Sequence, residues 1–351
     1  GGNDGRPYSF GRPSSGGSKA AYPCKSYGQG RINPAYFYGV FDPNDMRRDV
    51  SITMTGSNGK GVEKLIPFVP NSKAEGGGLT LNKWDENRQA NPWVAAQRKS
   101  GINGPYMRMS EVYLGYAEVC AALGDVVTGK QYLKTVRERS FPQGLANTDA
   151  FIASFGNDLV RAIIEERGFE YAGEGDRRWT LIRSGYLPED IKRIKDMTKA
   201  MMDGLATKGY YEFENGNIIS AYIWTKLVDA KTIYGHRLTA QCPTDKVNDP
   251  VLYPGWRGQK DNWEEMGLNY GSSTPATNLA IKGLFEIVSE EEAASLESQG
   301  YAKVNWGIDL VDNRDEYDKY LFWDYDYVSA PIYLWPFTPN VMAAGGFTNG
   351  Y

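Results

Sequence analysis

The stretch Ile164-Glu165-Glu166-Arg167-Gly168-Phe169-Glu170-Tyr171-Ala172-Gly173-Glu174-Gly175-Asp176-Arg177-Arg178-Trp179 decides how this chain is read. It joins an apolar helical run to a dense set of opposite charges. Upstream, Phe151, Ile152, Phe155, Leu159, Ile163 and Ile164 recur at helical spacing behind Thr148, a residue able to cap, which predicts a helix from 148 to about Ala172. Gly173 and Gly175 interrupt it, and a short helix from Asp176 to Arg183 ends at Gly185. Arg161 and Glu165 are four residues apart on one helical face. With Glu166, Arg167, Glu170, Glu174, Asp176, Arg177, Arg178 and Arg183 they allow two readings: a glycosidase-type pair of carboxylates, or an ion-pair lattice that locks one helix to the next. The number of arginines favours the lattice. Cations this close depress carboxylate pKa values, whereas a general acid needs one raised.

Toward the N-terminus, apolar residues at 109, 112, 113, 116, 117, 120 and 123 predict a helix from Arg108 to Leu123, stopped by Gly124. Residues 126–139 form a second amphipathic helix through Val127, Tyr132, Leu133 and Val136. Leu114-Gly115, Tyr116 and Ala117 followed by that second helix give a faint tetratricopeptide-repeat pattern. Such pairs cannot bury their faces alone, so either another element completes the stack or repeats are missing on its N-terminal side. Toward the C-terminus, 187–203 reads as a helix with Pro188 near its start, and 205–275 as loop-rich and aromatic-rich. One more helix is expected within 276–300, on Leu279, Ile281, Leu284, Phe285, Ile287 and Val288, followed by the acidic run Glu290-Glu291-Glu292. The fold class is therefore mainly α. Three regions are expected: 1–100, loop-rich with short strands; 101–203, tetratricopeptide-like helix pairs; and 204–351, loop-rich with few short strands.

Composition narrows the function. With 39 Lys+Arg against 43 Asp+Glu the formal net charge is −4, a poor match to the concentrated positive field that nucleic-acid binding needs. No apolar run approaches the roughly 20 residues of a membrane-spanning helix. The single histidine, His236, lies in Tyr234-Gly235-His236-Arg237, with no triad partner in view, and reads as an ordinary loop residue. Cys24, Cys120 and Cys242 lack CxxC spacing, which argues against a cysteine-based zinc site. Cys120 reads as a small core residue, and a Cys24–Cys242 disulfide is compatible with an exported protein. Gly56-Ser57-Asn58-Gly59-Lys60-Gly61 lacks the Gly-Lys-Ser/Thr ending and following helix of a phosphate loop, and reads as a hairpin turn. Asp324-Tyr325-Asp326 lacks any defined calcium-ligand spacing. No catalytic residue, metal site or cofactor is expected.

The unusual feature is aromatic content: 24 Tyr, 9 Trp and 13 Phe among 351 residues. Tyr253-Pro254-Gly255-Trp256-Arg257-Gly258 leads through Asp261 and Asn262 to Trp263 in a segment full of turn residues. Flat rings beside Arg, Asp and Asn suit a sugar: the ring stacks on the apolar face of a pyranose and the polar groups take its hydroxyls. The competing reading is that these rings pin long loops to the body of the protein. Trp256, Tyr253, Trp263, Arg257, Asp261, Asn262 and, after Asn91-Pro92, Trp93 are the candidate ligand-binding residues. Tyr22 and Tyr27 rank with Trp93, whereas Trp84 reads as core and Trp179 as structural.

Several segments, in order, resemble the SusD/RagB-like family. Asp45-Met46-Arg47-Arg48-Asp49-Val50 and Asn82-Lys83-Trp84 match its strand-entry motifs, and Met107 through Glu118 matches its R-x-x-E-V-x-L-x-x-A-E helix. Ile164 through Trp179 matches its E-R-x-x-E-x-x-x-E-G-x-R signature, continued by Leu181, Arg183 and Gly185, with Thr180 where the family usually has Asp. Tyr333 through Asn340 resembles its terminal proline motif, with Val341-Met342 in place of the usual acidic residue, and Thr348-Asn349-Gly350-Tyr351 resembles its ending. The resemblance implies a SusD-like fold and a non-catalytic lipoprotein on the outer face of the outer membrane. There it would capture glycan for a SusC-like TonB-dependent transporter; a peptide-capturing lid or a glycoside hydrolase is the alternative. It also implies that this chain is the C-terminal portion of a longer precursor whose signal peptide, lipid-bearing Cys and further repeats lie elsewhere. The matching motifs belong to the scaffold, so no ligand contact is carried over by motif.

Overall fold

The computed structural model describes residues 30–57, 63–66, 68, 78–84, 104–229, 263–265, 277–314 and 339–345. Helix dominates these residues, as the sequence predicts, and the strands are few and mostly short.

The first described segment carries a π-helical turn, Tyr36–Val40, and helix α1, Met46–Ser51, capped by the Asp45 side chain on the Arg47 N–H. Short strands follow: β1, Ile52–Thr53, pairs with β4, Thr80–Leu81, and β2, Thr55–Ser57, pairs with β3, Glu63–Leu65, all antiparallel. The register Thr55↔Leu65 fits the expected hairpin, although its connecting residues 58–62 lie outside the described set.

The helical body then begins. Helix α2, Met109–Ala122, and α3, Val126–Glu138, form an antiparallel pair in which Gly129 lets the backbones meet; a Cβ there would stand 3.0 Å from the Ala117 carbonyl oxygen. Helices α4, Thr148–Ala153, and α5, Leu159–Glu170, come next. The single helix expected over 148–172 is thus two. Gly156 and Asn157 both take φ of +65°, which breaks the first, and the Asp158 side chain accepts the Arg161 N–H to cap the second. The cap of α4 is Asn147 rather than Thr148. Helix α6, Asp176–Ser184, ends at Gly185 with φ +80°, and α7 runs from Leu187 to Lys208, past the expected end at 203.

Among the described residues beyond α7, short strands appear. Strands β5, Tyr210–Glu212, and β6, Ile218–Ser220, form a hairpin. A four-stranded antiparallel sheet has the order β10-β7-β9-β8, from β7, Tyr222–Asp229, β8, Trp263–Glu265, β9, Thr277–Lys282, and β10, Ala302–Asn305. The helix expected over 276–300 is corrected to strand β9 followed by helix α8, Glu290–Ser298, with Ser289 as cap. Leu279, Ala280 and Ile281 are buried in succession because β9 lies inside the sheet, and a short apolar run of that kind has no period that distinguishes strand from helix. Helices α9, Gly307–Asp312, and α10, Pro339–Gly345, complete the described elements.

Two larger hydrophobic cores meet at α5, beside a smaller cluster of its Ile164 with Leu181 and Leu187. One gathers Phe37, Tyr38, Phe41, Ile52, Met201, Leu205, Ile223, Phe285 and Trp306 with Phe169 of α5. The other gathers Leu114, Ala117, Leu133 and Val136 with Leu159, Ala162 and Ile163 of α5. Trp84 is buried and Cys120 is a buried free thiol, as read from sequence, whereas Trp179 is about half exposed on α6. None of the described helices is long and apolar enough to cross a membrane.

Candidate functional site

Helix α5 is buried along nearly its whole length, yet it carries Arg161, Glu165, Glu166, Arg167 and Glu170. Buried charges persist only when paired and hydrogen-bonded. Glu166 accepts from Arg47 Nη1 at 2.6 Å on one oxygen and from Arg137 Nη1 at 3.0 Å on the other. Glu170 accepts from Arg108 Nη1 at 2.6 Å, from Arg47 Nη1 at 3.2 Å, and from Arg139. Glu174, one turn further, accepts from Arg108 Nη2 at 2.8 Å and from Lys83 Nζ at 2.6 Å. On the opposite side Glu165 takes Arg177 at 2.9 Å and Arg161 at 3.0 Å, and Asp190 takes Arg177 at 2.9 Å and Arg193 at 2.6 Å. Arg167 holds Asp176 and Thr180.

The electrostatics follow from this pairing. Burial alone would raise the Glu170 carboxyl, but Arg47, Arg139 and Arg108 bring it down to about 2. Asp190 is likewise lowered, burial being offset by Arg177 and Arg193. The Lys83 ammonium is lowered by burial, against the opposing pull of Glu174. Neither carboxyl is held protonated near neutral pH, so neither fits a general acid. The lattice reading of this cluster is the one the geometry supports.

Beside the lattice, at the N-terminus of α2, lies an open polar cleft of about 250 Å³ lined by Pro105, Tyr106, Met107, Arg108, Glu111, Tyr171, Glu174, Gly175 and Asp176. Tyr171 is part of its lining, with the Arg108 guanidinium 4.8 Å and the Arg167 guanidinium 5.0 Å from the ring centroid. Tyr171 donates to Ser110 Oγ at 3.1 Å, and burial pushes its phenol up to about 12. Tyr106 at the mouth is fully exposed. A ring and two paired charges around a shallow cavity can hold a small polyhydroxylated group by stacking and hydrogen bonds. Sequence reasoning missed Tyr106; the signal that could have found it is the one used for Trp93, an aromatic residue directly after proline in a non-periodic stretch. A second, more apolar cavity of about 530 Å³ lies between α3, α4 and α5, with the Lys130–Asp149 ion pair at its rim.

Of the sequence-predicted ligand residues, Trp263 opens β8 and pairs in register with Ile281 of β9, placing it on an edge strand of the sheet. Tyr253, Trp256, Arg257, Asp261, Asn262 and Trp93 lie outside the described residues, as do Tyr22, Tyr27, Cys24, Cys242, His236 and Asp324–Asp326. Among the described residues no group of three or more His, Cys, Asp or Glu side chains is placed to hold a metal ion.

A SusD-like protein of Formosa agariphila is 28% identical over 160 residues, 45% of this chain and 26% of its own. A SusD homolog of Bacteroides thetaiotaomicron of known crystal structure is 23% identical, with a TM-score of 0.33 over 46% of this chain and 33% of that one. These matches thus span about a quarter to a third of each relative's length. The model of the SusD family matches residues 3–336, nearly the full length, and the chain belongs to that family.

Proposed function

We propose that this chain belongs to a cell-surface nutrient-binding protein that captures oligo- or polysaccharide and passes it to a SusC-like TonB-dependent transporter. The observation that carries this reading is the family match across residues 3–336. Glu170 and Asp190 are lowered rather than raised, which suits neither of these two carboxyls to the role of general acid. In this reading Trp256, Tyr253, Trp263 and Trp93 stack on sugar rings, and Arg257, Asp261 and Asn262 take hydroxyls.

Affinity electrophoresis against a panel of plant, host and microbial polysaccharides, with a parallel assay for reducing ends, tests the proposal. Retardation by a polysaccharide with no release of reducing ends is the expected result. Release of reducing ends would make the chain a hydrolase. Binding to a peptide pool with no retardation by any glycan would make the cargo peptide.

A further inference from the structure

We propose that Lys303, Tyr222 and Trp224, at one edge of the four-stranded sheet, form a binding site for an anionic sugar, one that carries a carboxylate or a sulfate ester. The site presupposes glycan capture and adds the charge of the captured sugar. Side chains alternate along a strand, so Tyr222, Trp224 and Lys226 of β7 share one face. The register sets Lys303 of β10 and Lys282 of β9 opposite Trp224, one on each side, and therefore on that same face. A row of Lys, Trp and Lys thus crosses β10, β7 and β9.

Lys303 differs from the buried cations of the helical lattice. Arg47, Arg108, Arg137 and Arg177 each meet a carboxylate. Lys303 is exposed and meets none among the described residues. Its ammonium lies instead 4.1 Å from the Tyr222 ring centroid and 5.8 Å from that of Trp224. The rings hold the charge in place and leave its N–H donors to take an anion in charge-assisted hydrogen bonds. Lys226, on the same face, donates to the Gln299 carbonyl at 2.7 Å, at the end of α8, and no described carboxylate neutralises it either. The field over this part of the sheet is therefore positive.

Trp224 is unsatisfied as well. Its side chain is 6% exposed and its indole N–H has no hydrogen-bond acceptor. Buried donors are nearly always paired, and an unpaired one costs free energy. An acceptor brought into the cluster relieves that cost. A lysine on an edge strand also guards the edge against pairing with another sheet, but that role accounts for neither the rings nor the stranded N–H. The aromatic surface beside the charge selects an acidic sugar over a free anion: the rings cover the apolar face of a pyranose while its carboxylate or sulfate meets the ammonium.

Affinity electrophoresis of the purified chain against two matched pairs reads the outcome: polygalacturonate beside its methyl ester, and dextran sulfate beside dextran. Retardation by the charged member of at least one pair, and not by its neutral counterpart, is expected, and the pair that responds tells carboxylate from sulfate. Lys303→Gln should weaken the apparent affinity about ten-fold, and Lys303→Arg should largely preserve it. Lys208→Gln, which removes an exposed charge from the end of α7, should leave it unchanged. Equal retardation of Lys303→Gln and the parent, or an equal loss in Lys208→Gln, would overturn the site. Retardation by the neutral members alone, or by none of the four, would also overturn it, while glycan capture itself is decided by the wider polysaccharide panel.

Discussion

Arg47 and Glu166, 119 residues apart in sequence, meet at 2.6 Å in the interior of the protein, and the same carboxylate takes Arg137 of α3 on its other oxygen at 3.0 Å. One fully buried carboxylate therefore ties the N-terminal described segment, α3 and α5 together. Removing it leaves two buried guanidinium groups facing each other. Glu166→Ala should destabilise the chain by about 3–5 kcal/mol in denaturant titration. Lys134→Ala, which removes an exposed pair with Glu138, should change stability by less than about 1 kcal/mol.

Acid sensitivity should follow from Glu170. Its carboxyl sits at about 2 in the folded chain against an ordinary value of 4.5. A depressed folded-state pKa contributes stability that is fully present above the unfolded value and lost as pH falls through the folded one. Between about pH 4.5 and pH 2 the parent should lose on the order of 3 kcal/mol through this group. Glu170→Gln, less stable at neutral pH, should show a correspondingly shallower decline in urea titrations over that window.

Two glycines at positive φ separate strain from crowding. Gly173, φ +80°, would place a Cβ 2.5 Å from Leu81, whereas Gly175, φ +90°, has nothing within 4 Å. Gly175→Ala should cost about 1 kcal/mol from backbone strain alone. Gly173→Ala should cost about 2 kcal/mol or more, because Leu81 of β4 must also move. Thermal melts of the two variants provide the comparison.

A buried hydrogen bond joins the π-helical turn to the strand–helix corner: Trp306 Nε1 donates to the Tyr38 hydroxyl at 2.8 Å. Tyr38→Phe keeps the ring against Phe37, Phe213 and Phe285 but strands the indole N–H, and should destabilise by about 1–3 kcal/mol. Equal stability of parent and variant would show that the indole finds another acceptor.

The helical body was legible because its signals are local. Period and glycine stops placed α2 and α3 within a residue or two, and Gly185 closed α6 as expected. The i,i+4 spacing anticipated the Arg161–Glu165 pair, found at 3.0 Å. The lattice partners Arg47, Lys83 and Arg137 were not legible, since pairing across such distances leaves no local pattern. The split between α4 and α5 turns on Asn157 in a left-handed conformation, which apolar periodicity cannot register. Strands β7 and β9 were missed because a buried strand in a mixed sequence has no fixed period. The cleft at Tyr106 was missed because it forms only when α2 and the turn after α5 come together.

Glycan capture is proposed to rest on the aromatic segment around Trp256. Its most direct test is calorimetric titration, into the parent chain and into Trp256→Ala, of an oligosaccharide derived from a polysaccharide that retards the chain. Saturable binding to the parent is expected, weakened on the order of ten-fold or more in the variant, with both chains melting at the same temperature. Equal affinity of the two chains for that sugar would contradict it.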